Sequence, residues 1–170
     1  MIEQHLSIPS TSIKHKIDYE DTNSHEEGQL LLVVLKIGGE HYGVPIEYVE
    51  EIQPFTQFTP LPGAPSFWAG IVNLRGRLHA LLDLADYLEI TPNRTIEQRK
   101  ITFVQAGGLK LGLLVDDVLE VRRIFQTDIG SSLIHSGRIH REAIRGLTAD
   151  LLSVLDLEIL LSDPKLIVQD

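Results

Sequence analysis

Apolar positions along this chain fall in short bursts punctuated by glycine and proline, and only briefly with a helical period. Leu30–Ile37 is a run of leucine and β-branched residues stopped by Gly38 and Gly39. Such glycines supply the positive φ angles of a tight hairpin, so His41–Val44 reads as the returning strand. Val49–Ile52 is a short alternating strand, followed by a loop that carries Pro60, Pro62 and Pro65. Ile71–Leu74 and Leu78–Leu82 form the next pair, with Gly76 at the bend. Leu84, Tyr87 and Leu88 then take helical spacing, and Asp83 stands where an N-cap belongs.

This order returns. Lys100–Gln105 reads as a strand ending at Gly107 and Gly108, and Lys110–Val115 as its partner. GGEHYGVPIEYVEEI from Gly38 aligns without a gap to GGLKLGLLVDDVLEV from Gly107, setting Glu47 on Asp116, Val49 on Val118 and Glu51 on Glu120. IVNLRGRLHALLDL from Ile71 aligns to IRGLTADLLSVLDL from Ile144, setting Leu74 on Leu147, Leu78 on Leu151 and Asp83 on Asp156. The offsets are 69 (108 − 39) and 73 (156 − 83). Two glycines are easily matched by convergence; hairpin, acidic strand and Asp-Leu helix start together point to a duplication. A unit of about seventy residues with five short strands suits a small barrel that closes its own edges. Two such units packed together would bury their long apolar strands between them. The expected fold is all-β: two five-stranded barrels around a shared core, with short helices.

Residues Met1 to Gly28 are polar and lack sustained periodicity, and read as a flexible tail with transient contacts through Ile13 and Ile17. The domain is expected over 29–165, with strands and helices in 29–90, a second repeat beginning near 100, and closing elements in 144–161; 166–170 is a C-terminal tail. Ile90–Arg99 is a polar connector, and Ile124–Ala143 a long loop containing glycine, serine and histidine.

Twenty-four acidic residues against fifteen basic give a net charge of −9. Such a surface repels nucleic-acid phosphates and anionic membranes and favours partners with positive patches. The longest apolar run, Leu30–Leu35, is too short to span a bilayer, and the N-terminus has no basic-then-apolar export signal. Cysteine is absent, which excludes disulfides and thiolate chemistry. A soluble cytoplasmic protein is expected.

Catalytic chemistry finds no foothold. His5, His15 and His25 fall in the tail, and His135 and His140 are five apart in a loop, so no metal is expected. His79 lies within a strand, opposite Leu78 and Ala80, as a half-exposed polar residue. Glu50-Glu51 and Asp116-Asp117 are adjacent on strands and should point to opposite faces, which rules out a shared-proton pair. No nucleophile elbow, Walker loop or dinucleotide fingerprint is present, so neither enzyme activity nor a cofactor is expected. A nucleic-acid-binding double barrel is the alternative architecture allows, and the charge opposes it.

One local set stands out. Alternation in Ile71–Arg75 sends Val72 and Leu74 inward and Asn73 and Arg75 outward. Val49 and Glu51 share a face, so adjacent strands would pair Glu51 with Arg75 beside an exposed valine. The plain reading is a surface ion pair worth about 0–1 kcal/mol. The functional reading uses arginine's fitness for bidentate recognition and for anchoring interfaces. Phe67 and Trp68 sit just before, at the edge of the core.

FWAGIVNLRGRLHALLDLADYL (Phe67–Leu88) resembles the signature of CheW-like domains, in which G-x-x-N-L-R-G precedes an apolar strand ending in Asp-Leu. GEHYGVPIEYVEEI (Gly39–Ile52) resembles that family's first hairpin and V-x-E-I strand, and IRGLTADLLSVLDLEILL its closing elements. The likeness runs from about Gln29 to Leu161. It implies two SH3-like barrels and a non-catalytic adaptor that joins the cytoplasmic tip of a methyl-accepting chemoreceptor to the CheW-like regulatory domain of a CheA-type histidine kinase, at a membrane-associated array. It also implies partner-binding roles for Val49, Glu51, Gly70, Asn73 and Arg75. The sequence departs at Ala80, where the family often has proline, and at the polar Arg77 and His79. Arg77 and the Leu-Leu-Asp-Leu ending resemble the PilI-like branch serving type IV pilus motility. No receiver, phosphotransfer or ATPase segment is seen, unlike CheV or CheA.

Overall fold

The structure, a computed structural model, describes residues 5–6, 28–130 and 141–166. Ile13, Ile17, His15, His25, His135, His140 and residues 167–170 lie outside the described residues. In chain order the strands are β1 (His5–Leu6), β2 (Gln29–Ile37), β3 (Glu40–Pro45), β4 (Val49–Pro54), β5 (Trp68–Leu74), β6 (Arg77–Asp83), β7 (Lys100–Ala106), β8 (Leu109–Val115), β9 (Asp117–Phe125), β10 (Ile144–Leu147) and β11 (Ser153–Leu155). Two short helices, α1 (Leu84–Tyr87) and α2 (Leu157–Leu161), follow β6 and β11. Both start at the expected aspartates: Asp83 accepts from the backbone of Ala85 and Asp86, and Asp156 from Ile159. These are N-caps that satisfy otherwise orphaned donors.

The sheets run β1-β9-β2-β3-β11-β10 and β4-β7-β8-β6-β5. The fold is the expected pair of five-stranded SH3-like barrels, with β1 added to the β9 edge through His5↔Arg122 and Leu6↔Val121. The repeats, however, do not each close their own barrel. Each donates its first hairpin to one barrel and its last three strands to the other. Chain reach accounts for the second repeat's part in the exchange. To pair within its own repeat, β9 would have to cross hairpin β7–β8 to its far edge, about 10 Å away at ordinary strand spacing. Only Asp116 separates β8 from β9, a reach of about 7 Å.

The two halves obey one set of contacts. The parallel pairings Val154↔Gly43 and Leu81↔Gly112 are equivalent. A Cβ on Gly43 would lie 2.9 Å from the Leu32 side chain, and one on Gly112 3.0 Å from that of Ile101, so tight packing favours glycine at this crossing in both repeats. The gapless alignment of the last hairpins does not survive. Ile71↔Ala80 corresponds to Leu147↔Ser153, and Gly70↔Leu81 to Gly146↔Val154. Leu147 therefore matches Ile71 rather than Leu74, because the second hairpin is shorter. Counting back from Ala80 and Ser153, Leu78 still matches Leu151.

Three apolar clusters fill the molecule. Leu32, Val34, Ile124, Leu152 and Val154 fill one barrel, and Val72, Leu74, Leu81, Ile101, Phe103 and Leu114 the other. Between them, Val33, Leu35 and Ile37 of β2 meet Val104 and Ala106 of β7 and Leu111, Leu113 and Val115 of β8. Strands β2, β7 and β8 are thus buried on both faces, which is why they read as continuous apolar runs.

Asp116 fastens the crossing point. It is 1% exposed, and its Oδ2 accepts from the backbone N–H of Gly38 at 2.7 Å and of Asn93 at 2.8 Å. Its own N–H donates to the Lys36 carbonyl. Arg99 lies 3.6 Å from the other carboxylate oxygen and also binds Asp83 at 3.1 Å. The connector 90–99 is therefore tied to both repeats. Asp116→Ala strands two backbone donors and should lower stability by about 3 kcal/mol in urea unfolding. Glu47→Ala, at the equivalent but exposed position, should change it by less than about 0.5 kcal/mol.

Candidate functional site

The site forms where one barrel closes on itself. Strands β4 and β5 are the two edges of their sheet, yet Arg75, just after β5, reaches Glu51 of β4 at 3.2 Å. The expected pair is present, but it spans a seam between sheet edges rather than two neighbouring strands. A β-bulge between Val49 and Glu51 makes this possible. By adding a residue it breaks the alternation. Val49 turns inward and is 0% exposed, so the expected exposed valine is a core residue. Glu50 and Glu51, expected on opposite faces, line the same hollow.

Arg75 holds an unusual backbone. Its φ is 52°, and its side chain is 72% exposed. For a non-glycine residue this left-handed conformation costs about 1–2 kcal/mol. Asn73 supports the turn by accepting from the Gly76 N–H at 2.9 Å, with its side chain on the outer face as expected. Gly70 is different. It is buried, and a Cβ there would lie 2.2 Å from the Thr59 carbonyl oxygen, because Thr59 and Ile71 exchange backbone hydrogen bonds at that point. Its role is to let the 55–67 loop lie against β5. Gly146 does the same beneath Gly130 in the other barrel.

The hollow beside Arg75 has a volume of about 260 Å³ and is lined by Glu50, Glu51, Arg75, Arg77, His79 and Lys110 among others. Burial, then Lys110 and Arg77, hold the His79 imidazole below its ordinary value. It packs edge-on against Phe103 at 5.8 Å and is half-buried, as its place in the strand suggested. Lys110 was not singled out from sequence, and neither Arg77 nor Glu50 was placed at this corner, since only barrel closure brings β4, β6 and β8 together.

The second barrel closes by a related contact. A bulge sits at the same place in β9, and Glu120 takes the place of Glu51. Arg122, two residues on, binds Glu120 at 2.7 Å and Asp150 of the β10–β11 turn at 2.7 Å. In the first barrel Gln53 donates to Glu51 at 2.8 Å from the equivalent position. The Glu-x-Gln and Glu-x-Arg pairs, with side chains on one strand face, were a readable signal for this seam.

Paired SH3-like barrels joined through a shared core, each closed at a charged seam, define the class of fold. Residues 31–165 match the CheW-like domain, and the chain belongs to that family. The probable chemotaxis protein CheW of Rhizobium etli is 29% identical over 143 residues, covering 82% of this chain and 92% of the relative. Protein PilI of Pseudomonas aeruginosa is 34% identical over 85 residues, 49% of this chain and 47% of PilI. The crystal structure of the scaffolding protein TtCheW from Thermoanaerobacter tengcongensis superposes with a TM-score of 0.70 at 27% identity, covering 80% of this chain and 94% of that one. The chain is a CheW-like, non-catalytic scaffold of chemotaxis signalling. No helix among the described residues is long and apolar enough to cross a membrane.

Arg75→Gly removes the side chain while relieving the left-handed backbone, so unfolding stability should stay within about 1 kcal/mol of the parent. Gly70→Ala should cost about 1–3 kcal/mol or more by the same assay, because the new methyl meets backbone rather than a mobile side chain.

Proposed function

We propose that this chain couples a methyl-accepting chemoreceptor to the regulatory domain of a CheA-type histidine kinase, and that Arg75, with Glu51 and Asn73, forms part of the partner-binding surface. The carrying observation is Arg75 itself: an exposed guanidinium held in a costly backbone conformation and pinned by a single carboxylate. Strain kept at an exposed polar residue is characteristic of sites that bind. The corner gathers the cations Arg75, Arg77 and Lys110 beside Glu50 and Glu51, on a chain of net charge −9. Val49 and Gly70 support the surface from within, by core packing and by loop approach. The scaffold acts in the cytoplasm at the membrane-associated array, reaching the membrane only through its partners, and alters kinase output by holding receptor and kinase in one geometry.

The partial likeness to PilI supports a second reading within the same class, in which the array drives type IV pilus motility rather than a flagellum.

Arg75→Glu tests the first reading. It reverses the charge facing Glu51, a surface contact worth about 0–1 kcal/mol, so the melting temperature should fall by less than about 4 °C. Binding to the purified kinase regulatory domain, measured by calorimetry or pull-down, should weaken by about tenfold or more, as for a loss of a central arginine. Parent-like binding with an intact fold would overturn the assignment of Arg75, and unfolding would make the pair structural.

A further inference from the structure

The two barrels leave equivalent sheet edges, and the chain treats them differently. The outer edge of β4 at Ile52 and Gln53 carries no added strand among the described residues. That strand ends at Pro54, which has no N–H to offer a neighbour. At the offset of 69 (121 − 52), the matching residues of β9 are Val121, Arg122 and Arg123, so the proline is missing there. This edge is covered instead. His5 pairs with Arg122 and Leu6 with Val121, antiparallel.

The cover is slight, and its connection to the domain is long. On its inner side β9 pairs with β2 from Gln29 to Lys36, whereas β1 is 2 residues long. So short a ladder offers few hydrogen bonds to offset the freedom lost on docking. About twenty residues lie between Leu6 and Gly28, a reach of about 70 Å. The gap runs from the β2 side of β9 at Phe125 to its outer side at Val121. Two strand spacings across and four residues (125 − 121) along make it about 16 Å. The connection is therefore far longer than docking needs, and acts as a tether that sets an effective concentration on the order of 1 mM. Strand addition reads main chain, so the edge accepts the segment whether or not it is covalently attached.

We propose that the outer edge of β9 at Val121 and Arg122 is a strand-docking site, and that the chain's own N-terminal segment around His5 and Leu6 fills it as a tethered, replaceable ligand. Docked, the segment keeps an otherwise open edge from pairing with other chains. Released, it leaves an edge that accepts an added strand. The site lies on the strand that closes the second barrel, since Arg122 also holds Glu120 and Asp150. It needs neither kinase nor receptor, so it stands or falls apart from the coupling function.

The test supplies the segment from outside. A synthetic peptide of residues 1–10 is titrated into the isotope-labelled full chain, as the parent and as the double variant His5→Pro with Leu6→Pro, and backbone amide shifts are followed by NMR. Proline at both positions removes the donors that β1 offers the ladder, so the variant's own segment no longer docks. The variant should melt like the parent, because β1 adds only 2 residues to the sheet. Its amide shifts should depart from the parent's chiefly around Val121 and Arg122. The peptide should return those shifts towards the parent's, with a Kd below about 1 mM, the limit for a segment docked at that effective concentration. The parent should bind the same peptide about tenfold more weakly, as for an edge open about a tenth of the time. No binding to the variant would overturn the proposal, as would equal binding to both proteins or shifts centred away from β9. A variant that fails to fold would overturn it too, by making β1 a structural strand rather than a ligand.

Discussion

Strands β2 and β7 are buried on both faces, and the rest of the molecule depends on that burial. One face of each fills its own barrel, while the other meets its counterpart in the central core. The one-residue connection at Asp116 keeps the second repeat from finishing its own barrel, and each repeat finishes its partner's instead. The barrels are consequently not separable modules. Removing either repeat would leave two open sheets, each missing a hairpin or three strands. Asp116 sits where this exchange occurs and ties the first repeat's turn to the second repeat's crossing, with Arg99 drawing the connector onto the same point.

Barrel closure is what sets charged groups on the rims over the core. The bulges in β4 and β9 turn a glutamate outward at each seam, and each glutamate takes an arginine. After duplication the two seams kept the glutamate and relocated the arginine. The first therefore displays a cation at a turn, whereas the second buries most of its arginine and displays a carboxylate. Divergence at the rim over a preserved interior is how a symmetric scaffold acquires unlike faces. A scaffold that joins unlike partners requires such faces.

Much of this was legible in the chain. The hairpins at Gly38-Gly39 and Gly107-Gly108, the helix caps Asp83 and Asp156, the duplication and the outward Asn73 and Arg75 all rest on local rules of turn chemistry and alternation, and all hold. What failed did so where a local count is broken by an added or missing residue. The bulge turned Val49 inward and set Glu50 beside Glu51, and the shorter second hairpin moved Leu147 onto the place of Ile71. Leu78 looked like a strand-face leucine and lies in solvent instead.

The sequence by itself determined which segments are strands, where they turn and that the pattern occurs twice, because these follow from side-chain periodicity and backbone preference within a few residues. Only the tertiary structure decided which strands share a sheet, that a seam brings Glu51 to Arg75, and that one rim displays Arg75 while the other displays Asp150. Those outcomes depend on chain reach and on edges meeting across a closed barrel, and neither is encoded in any one stretch of residues.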